Sequence, residues 1–320
     1  MIFLERKRVI DLVKGDKIND YFLIKEISCK LTNGSNNKFL DIDLLDNTGM
    51  INAKLWECRN NEEETLKNNM LVKVSGSVLE WKGKLQIKAD SIRPISEEDH
   101  IDVKDFIPVA PFEAQEMYDE ILSYIFSIDN EDIKNIAIEI LNEYDEKLMY
   151  YPAAKSNHHS IKSGLLYHTV TMLKLADNFI NIYKFLNKDL LYAGIVLHDI
   201  AKIEEMDSSD LGIVSEYTIA GQLLGHITLG INKIQVVGEK IKADKEVIML
   251  LQHMILSHHY EPEFGSPKKP MIPEAEILHF LDIIDARMYD MNKALSEINP
   301  GEFTDKIWSL DNLRIYKSKL

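Results

Sequence analysis

Cysteine is scarce: only Cys29 and Cys58 occur in 320 residues. They stand far apart and form no C-x-x-C, so neither a disulfide framework nor a thiolate zinc site is indicated, and a reducing cytoplasm is the expected setting. No apolar run approaches the ~20 residues of a membrane span. The start "MIFLERKRVIDLVKGDK" mixes charges of both signs with no long apolar segment, which argues against a signal peptide. A basic excess is missing too. The net charge of -15 discourages non-specific binding to nucleic acid by the chain as a whole. Internal repeats and low-complexity segments are absent as well.

The charge is unevenly spread. Residues 1–93 hold 16 Lys+Arg and 14 Asp+Glu, about +2, which leaves 21 against 38, about -17, for the remainder. The hydrophobic period changes with it. From Tyr21 to Arg93 short alternating runs are broken by turn chemistry: "YFLIKEISCKL", "FLDIDLL" and "MINAKLWE" read as three strands. "NEEETLKNN" reads as a short helix, and "MLVKVSGSVLEWKGKLQIKADSI" as two more strands around the turn "WKGK". Five strands with a helix between the third and fourth is the order of an all-β OB-fold barrel. From Pro111 the period is about 3.6, through a series of amphipathic patterns ending in a helix from Pro273 to roughly Leu295. The expected organisation is therefore multidomain: a barrel over 1–93, a linker over 94–110 ("PISEEDHIDVKDFIPVA") and an all-α helical bundle over 111–320.

Nine of the ten histidines lie after residue 150, all in the helical half. One histidine on an apolar helix face is most often a hydrogen-bonded core residue, but His168, His198-Asp199, His226, His258-His259 and Asp282 fall on separate predicted helices or at their ends. Imidazoles with carboxylates are the donors that first-row divalent metals use when thiolates are lacking, and a bundle can bring them to one interior point. The helix with "LDIIDA" offers both Asp282 and Asp285, three apart. His100, His253 and His279 are expected to be structural. Lys202, one turn beyond His198 in "HDIAK", is placed either to meet a phosphate or to end a helix in solvent. Lys268 and Lys269 in "GSPKKP" offer a cationic rim, or a solvated loop.

The order H…HD…D, as His168, His198-Asp199 and Asp282, resembles that of the HD-domain metal-dependent phosphohydrolases. Together with "AAKSNHHSIKSGLLYHT", "GQLLGHI", "LSHHYEPEFGSPKKP" and an OB-like N-terminal region, it resembles the YhaM family of 3'-to-5' exoribonucleases over nearly the whole chain. The resemblance implies that His168, His198, Asp199 and Asp282 hold one divalent ion. It implies that Asp199 reaches a second ion carried by His226, His258 and His259, and it favours Asp282 over Asp285. It makes His158 or His159 a phosphate contact or proton donor. It points to manganese, with magnesium, cobalt, iron or zinc as alternatives, and to single-stranded RNA as the partner, with single-stranded DNA as a second.

Alternation supplies the barrel's share. In "KFLDIDLL" the residues Leu40, Ile42 and Leu44 share one face, leaving Phe39, Asp41 and Asp43 on the other; in "INAKLWE" Asn52, Lys54 and Trp56 face outward. Phe39, Trp56 and Lys54 would then form a stacking and phosphate platform for a single strand, unless Trp56 packs on the helical half or caps the barrel. Two rival functions remain: hydrolysis of free nucleotides by the same centre, and nucleic-acid binding without catalysis. Oligomeric state is open, a homo-oligomer included.

Overall fold

A computed structural model describes residues 7–32, 37–57, 61–156 and 158–320. Cys58, Asn157 and most of the turn "NGSNN" lie outside the described residues; Cys29 is exposed and unbridged. The chain forms two compact units, Met1–Pro108 and Val109–Leu320.

The first unit is built from strands β1 (Lys17–Leu31), β2 (Lys38–Asp46) and β3 (Gly49–Leu55), a short helix α1 (Glu62–Thr65), and strands β4 (Leu71–Trp81) and β5 (Lys84–Pro94). The strands close in the order β1-β2-β3-β5-β4. Every neighbouring pair is antiparallel except β3 and β5, which run parallel with Asn52 opposite Gln86 and Lys54 opposite Lys88. Alternation works as the sequence implies: Leu40, Ile42, Leu44, Ile51, Ala53 and Leu55 fill the interior with Phe22, Val74 and Ile87. Residues 94–108 cluster with the barrel. There Asp99 accepts from both Arg93 guanidinium nitrogens, each at 2.7 Å, and from the Tyr21 hydroxyl at 2.9 Å.

The second unit contains α2 (Ala114–Phe126), α3 (Glu131–Glu143), α4 (Asp145–Leu148), α5 (Gly164–Ile182), α6 (Lys188–Leu197), α7 (Lys202–Glu205), a small hairpin of β6 (Met206–Ser208) and β7 (Val214–Tyr217), α8 (Ile219–Ile241), α9 (Lys245–Ser257) and α10 (Pro273–Ser296). The pattern "KDLLYAGIVLHDIAKI" reads as one continuous helix, but α6 ends at Leu197 and α7 starts at Lys202, so His198 and Asp199 occupy the break. The hairpin has no counterpart in the sequence pattern; its strands are three and four residues long, too short for alternation to register. α6 is buried on nearly every side, and packs on α3, α5, α9 and α10. That central position explains why its sequence is apolar without a polar stripe.

Close approach in the barrel depends on Gly76. A Cβ there would stand 2.3 Å from the Lys88 carbonyl oxygen and 2.9 Å from the Ala89 Cα, both backbone atoms that cannot swing away. Gly76→Ala is therefore expected to destabilise the barrel by about 1–3 kcal/mol, the usual cost of overpacking. Thermal melting of the full chain followed by tryptophan emission checks this, with Trp308→Phe as the common background so that the remaining Trp56 and Trp81 report on the first unit alone. An unchanged transition would show that β4 and β5 part at this point without cost.

Candidate metal centre

The last four carbonyls of a helix lack intrahelical partners, and two helices here solve that in the same way. At the end of α6 the His198 Nδ1 donates to the Ile195 carbonyl at 2.7 Å. At the end of α9 the His258 Nδ1 donates to the Ile255 carbonyl at 2.8 Å. In both cases the bond commits Nδ1 to the helix and turns Nε2 toward the interior. Three more imidazoles are held by the same nitrogen. His168 Nδ1 donates to Asp285 at 2.6 Å, His259 Nδ1 to the Phe264 carbonyl at 2.6 Å, and His226 Nδ1 to the Glu205 carboxylate at 3.1 Å. Gly225, at φ 70°, kinks α8 immediately before His226 and lets the His226 backbone N–H donate to Glu205 as well.

The freed nitrogens converge on Asp199. Its Oδ2 lies 3.3 Å from His198 Nε2 and 4.0 Å from His168 Nε2, while its Oδ1 lies 3.5 Å from His226 Nε2 and 3.8 Å from His258 Nε2. Asp282 Oδ1 stands 3.3 Å from His168 Nε2. Among the described residues three donor groups have their atoms within 4.8 Å of one another: His168-His198-Asp282, Asp199-His226-His258-His259, and His159-His168-Asp285, the last already tied together by hydrogen bonds to Asp285. Donors around one ion stand no more than roughly 4.4 Å apart, twice a ~2.2 Å bond, so small adjustments suffice. Among the described residues, the Nε2 atoms of His168, His198, His226 and His258 and the Asp199 Oδ1 are buried without a hydrogen-bond partner. Five orphaned buried polar atoms at one point are costly in a native fold unless something binds them, and they fit divalent cations.

Electrostatics agree. Burial pushes the Asp199 pKa up, but the Lys202 ammonium, at 2.6 Å, and then His198 override it and hold the carboxyl well below its usual range. Burial pulls His168 down, yet Asp282 and Asp285 raise it to about 10, so a cation taken up there would displace a proton. Burial, followed by the Lys202 charge, pushes His158 down to about 4.

The structure separates residues that the sequence leaves together. Asp282 faces His168 Nε2, whereas Asp285 bonds the opposite nitrogen and is 5% exposed: Asp282 can be a ligand and Asp285 an orienting partner. His158 lines the pocket over the centre, a cavity of about 610 Å³ that also holds Lys202, Glu205, Asp282 and His279. His159 requires a correction. It is 1% exposed and its Nε2 bonds Asp285 at 2.7 Å, so it stands behind the ligands as a support for Asp285 and not at the pocket as a phosphate contact. His253 accepts from the Met271 backbone N–H, and His279 Nδ1 donates to the His258 carbonyl. Lys269 lies beside Tyr260 and Glu261 at the pocket edge, 3.5 Å from the Glu261 carboxylate; Lys268 is exposed.

Sequence reasoning passed over Glu205 and the Phe264 carbonyl. Glu205 follows His198 in "HDIAKIEE", but its partner His226 lies across the β6–β7 hairpin, which the pattern did not disclose. A backbone carbonyl carries no sequence signal at all.

On the barrel, Phe39, Lys54 and Trp56 do share an outer face. The Phe39 and Trp56 rings stack at 4.6 Å, and the Lys54 ammonium stands 5.3 and 5.6 Å from their centroids. The expectation of two free stacking rings needs correction, however. Phe39 is only 7% exposed, while Trp56 is 42% exposed, so Trp56 alone offers a free face and Phe39 supports it from beneath.

The HD-domain family model matches residues 165–287, and the model of an OB-fold nucleic-acid-binding domain matches residues 24–95. The chain is similar to the 3'-5' exoribonuclease YhaM of Bacillus subtilis (strain 168), 41% identical over 303 residues that cover 95% of each protein. It is also similar to the protein of that name from Geobacillus sp. (strain WCH70), 42% identical and covering 97% of this chain and 95% of the relative.

The Glu205–His226 bond yields a prediction. Glu205→Gln keeps the shape but removes the charge that fixes the His226 ring, and metal affinity is expected to fall roughly 10- to 100-fold. Titration of metal-free protein, with isothermal calorimetry as the readout, tests this; an unchanged affinity would remove Glu205 from the centre.

Proposed function

The chain belongs to the YhaM family of 3'-5' exoribonucleases, and we propose that its metal-dependent helical unit shortens single-stranded RNA from the 3' end while the barrel holds the strand. The observation that carries this is the set of imidazoles fixed through Nδ1 with their Nε2 atoms turned on Asp199 and Asp282.

In this reading His168, His198, Asp199 and Asp282 hold one ion, and Asp199, His226, His258 and His259 hold a second. Divalent cations in such a pair lower the pKa of water and stabilise charge on the attacking and leaving oxygens of a phosphodiester. The chain's own groups do the rest. Asp199 is kept ionised by Lys202, which bonds its Oδ2 at 2.6 Å and leaves its Oδ1 without a hydrogen-bond partner. Lys202, partly buried and paired with Asp199, lines the pocket wall, where its ammonium can also meet an anionic phosphate. His158, with its pKa near 4, is neutral at pH 7 and meets the phosphate as a hydrogen-bond partner, not as a cation. His159 and Asp285 hold the His168 ring, and a ring held in place costs no reorganisation when substrate arrives.

Thiolate-free imidazole and carboxylate donors suit first-row divalent metals generally, and among them we take manganese on the family resemblance; magnesium, cobalt, iron and zinc are the comparisons. The scarcity of cysteine supports a cytoplasmic setting. On the barrel, Trp56 stacks a base, Phe39 backs it, and Lys54 meets the backbone; Lys268 and Lys269 give the helical unit a cationic rim. Single-stranded DNA can use the same stacking, which does not read the sugar.

End-labelled RNA, single-stranded DNA and nucleoside triphosphates incubated with metal-loaded protein test the assignment. RNA is expected to shorten from its 3' end and the triphosphates to persist. Asp199→Ala should abolish hydrolysis and release bound metal with the helical content retained, as should removal of metal by a chelator in the unsubstituted protein; full activity in Asp199→Ala would sink the mechanism. Separately, Trp56→Ala should weaken RNA binding roughly five- to 150-fold, the loss of one base stack, with only the small drop in melting temperature that losing its stack on Phe39 brings. If the variant melts early and binds RNA normally, the ring serves packing.

A further inference from the structure

Two aromatic rings on the wall of the metal pocket are not used by the core. Phe264 is 69% exposed and Tyr217 is 41% exposed, and both line the cavity that contains Asp282, His226 and His258. They come from different parts of the chain, Phe264 from the segment between α9 and α10 and Tyr217 from the end of β7. Cations stand beside one of these rings, Tyr217, and beside a third aromatic of the same pocket, Tyr260. The Lys155 ammonium stands 5.8 Å from the Tyr217 centroid and donates to the Ser215 carbonyl at 3.0 Å. The Lys269 ammonium stands 4.5 Å from the centroid of Tyr260, which lines the same pocket.

Phe264 is also fixed in place. Its carbonyl accepts from His259 Nδ1, the next residue is Gly265 at φ 98°, and the Ser266 hydroxyl oxygen accepts from the His259 backbone N–H at 3.1 Å. One short turn therefore orients a candidate ligand and presents an exposed phenyl ring beside it. A large apolar ring at the edge of a basin of charged and imidazole groups gains nothing from water, and nothing in the hydrolytic chemistry needs it. It has the character of a stacking surface.

We propose that Tyr217 and Phe264 grip the bases at the 3' end of the RNA chain, with Lys155 and Lys269 on the adjoining phosphates, so that the end is seated over the metal centre by stacking. This rests on the exoribonuclease reading and deepens it. An enzyme that consumes a chain residue by residue must accept every base in turn, and stacking does so because each base has a π-face, whereas hydrogen bonds to base edges would discriminate. The rings thus supply grip without sequence preference.

The test compares metal-loaded full-length protein acting on two 5'-labelled oligoribonucleotides, one with an ordinary 3'-terminal residue and one with an abasic 3'-terminal residue. For the unsubstituted protein the abasic end should raise KM roughly five- to 150-fold, the loss of one stack. In Tyr217→Leu and Phe264→Leu that ratio should shrink, since removing the ring and removing the base delete the same interaction and their effects do not add. Tyr217→Phe should keep the ratio. Lys155→Ala should flatten the salt dependence of binding by about one phosphate contact. Equal KM for both ends in the unsubstituted protein overturns the proposal with no variant involved, and so does a ratio that survives intact in both leucine variants. Failure of the exoribonuclease reading is seen separately, as no shortening of the ordinary oligonucleotide at all.

Discussion

A helix that stops inside a protein leaves carbonyl oxygens that need donors, and here the donors are imidazoles. His198 bonds the carbonyl three residues back at the end of α6, and His258 does the same at the end of α9. The bond satisfies the helix, fixes the tautomer and directs Nε2 away from the backbone. Because α6 and α9 pack on one another, with Gly194 admitting the Met254 side chain one turn before each histidine, the two Nε2 atoms come to the two sides of one carboxylate. Ending the helices and assembling the centre are the same event.

Everything else around the centre compensates for burying that carboxylate. Asp199 is 3% exposed, and an isolated ionised carboxylate at that depth would be protonated or would unfold the site. Lys202 keeps it ionised from the same chain segment, three residues on. Lys202 alone does not satisfy both oxygens. The Oδ1 side faces only unpartnered imidazole nitrogens, and that imbalance distinguishes a cation site from an ordinary buried ion pair. Each of the imidazoles around it is in turn anchored through Nδ1, by Glu205, by Asp285 or by a backbone carbonyl.

How much of this was legible in the sequence follows from the range over which each signal acts. Alternation is local and strong where one face is buried, so the five strands, the interior Leu40-Ile42-Leu44 and the outer Phe39-Lys54-Trp56 face could be read directly. Exposure within that outer face could not. Phe39 lies on β2 and Trp56 directly follows the neighbouring β3, and which ring covers the other is decided by side-chain stacking that a period of two does not describe. The histidines could be gathered as a set because imidazoles on several apolar helices share no simpler explanation. Their division of labour was hidden. His159 stands next to His158 in the chain, yet one supports Asp285 from behind and the other faces the cavity, and a positive φ of 52° at His159 is the local reason. Asp282 and Asp285 lie nearly one turn apart on α10 and present to opposite nitrogens of the same ring, which only the placement of α5 against α10 determines.

The proposed RNA contacts on the two units share one chemistry. In the proposed reading the platform on the barrel and the rings at the pocket would both rely on aromatic faces, which tolerate any base, each with a lysine or two close by. The chain's net charge of -15 makes long-range attraction of RNA weak, so affinity must come from short-range contact. Stacking provides contact energy that salt does not screen, whereas phosphate contacts lose strength as counterions compete. An acidic protein that must hold a moving polyanion is therefore better served by rings than by a basic groove. Trp56, Tyr217 and Phe264, each with an exposed aromatic face, are the kind of contact that this constraint calls for.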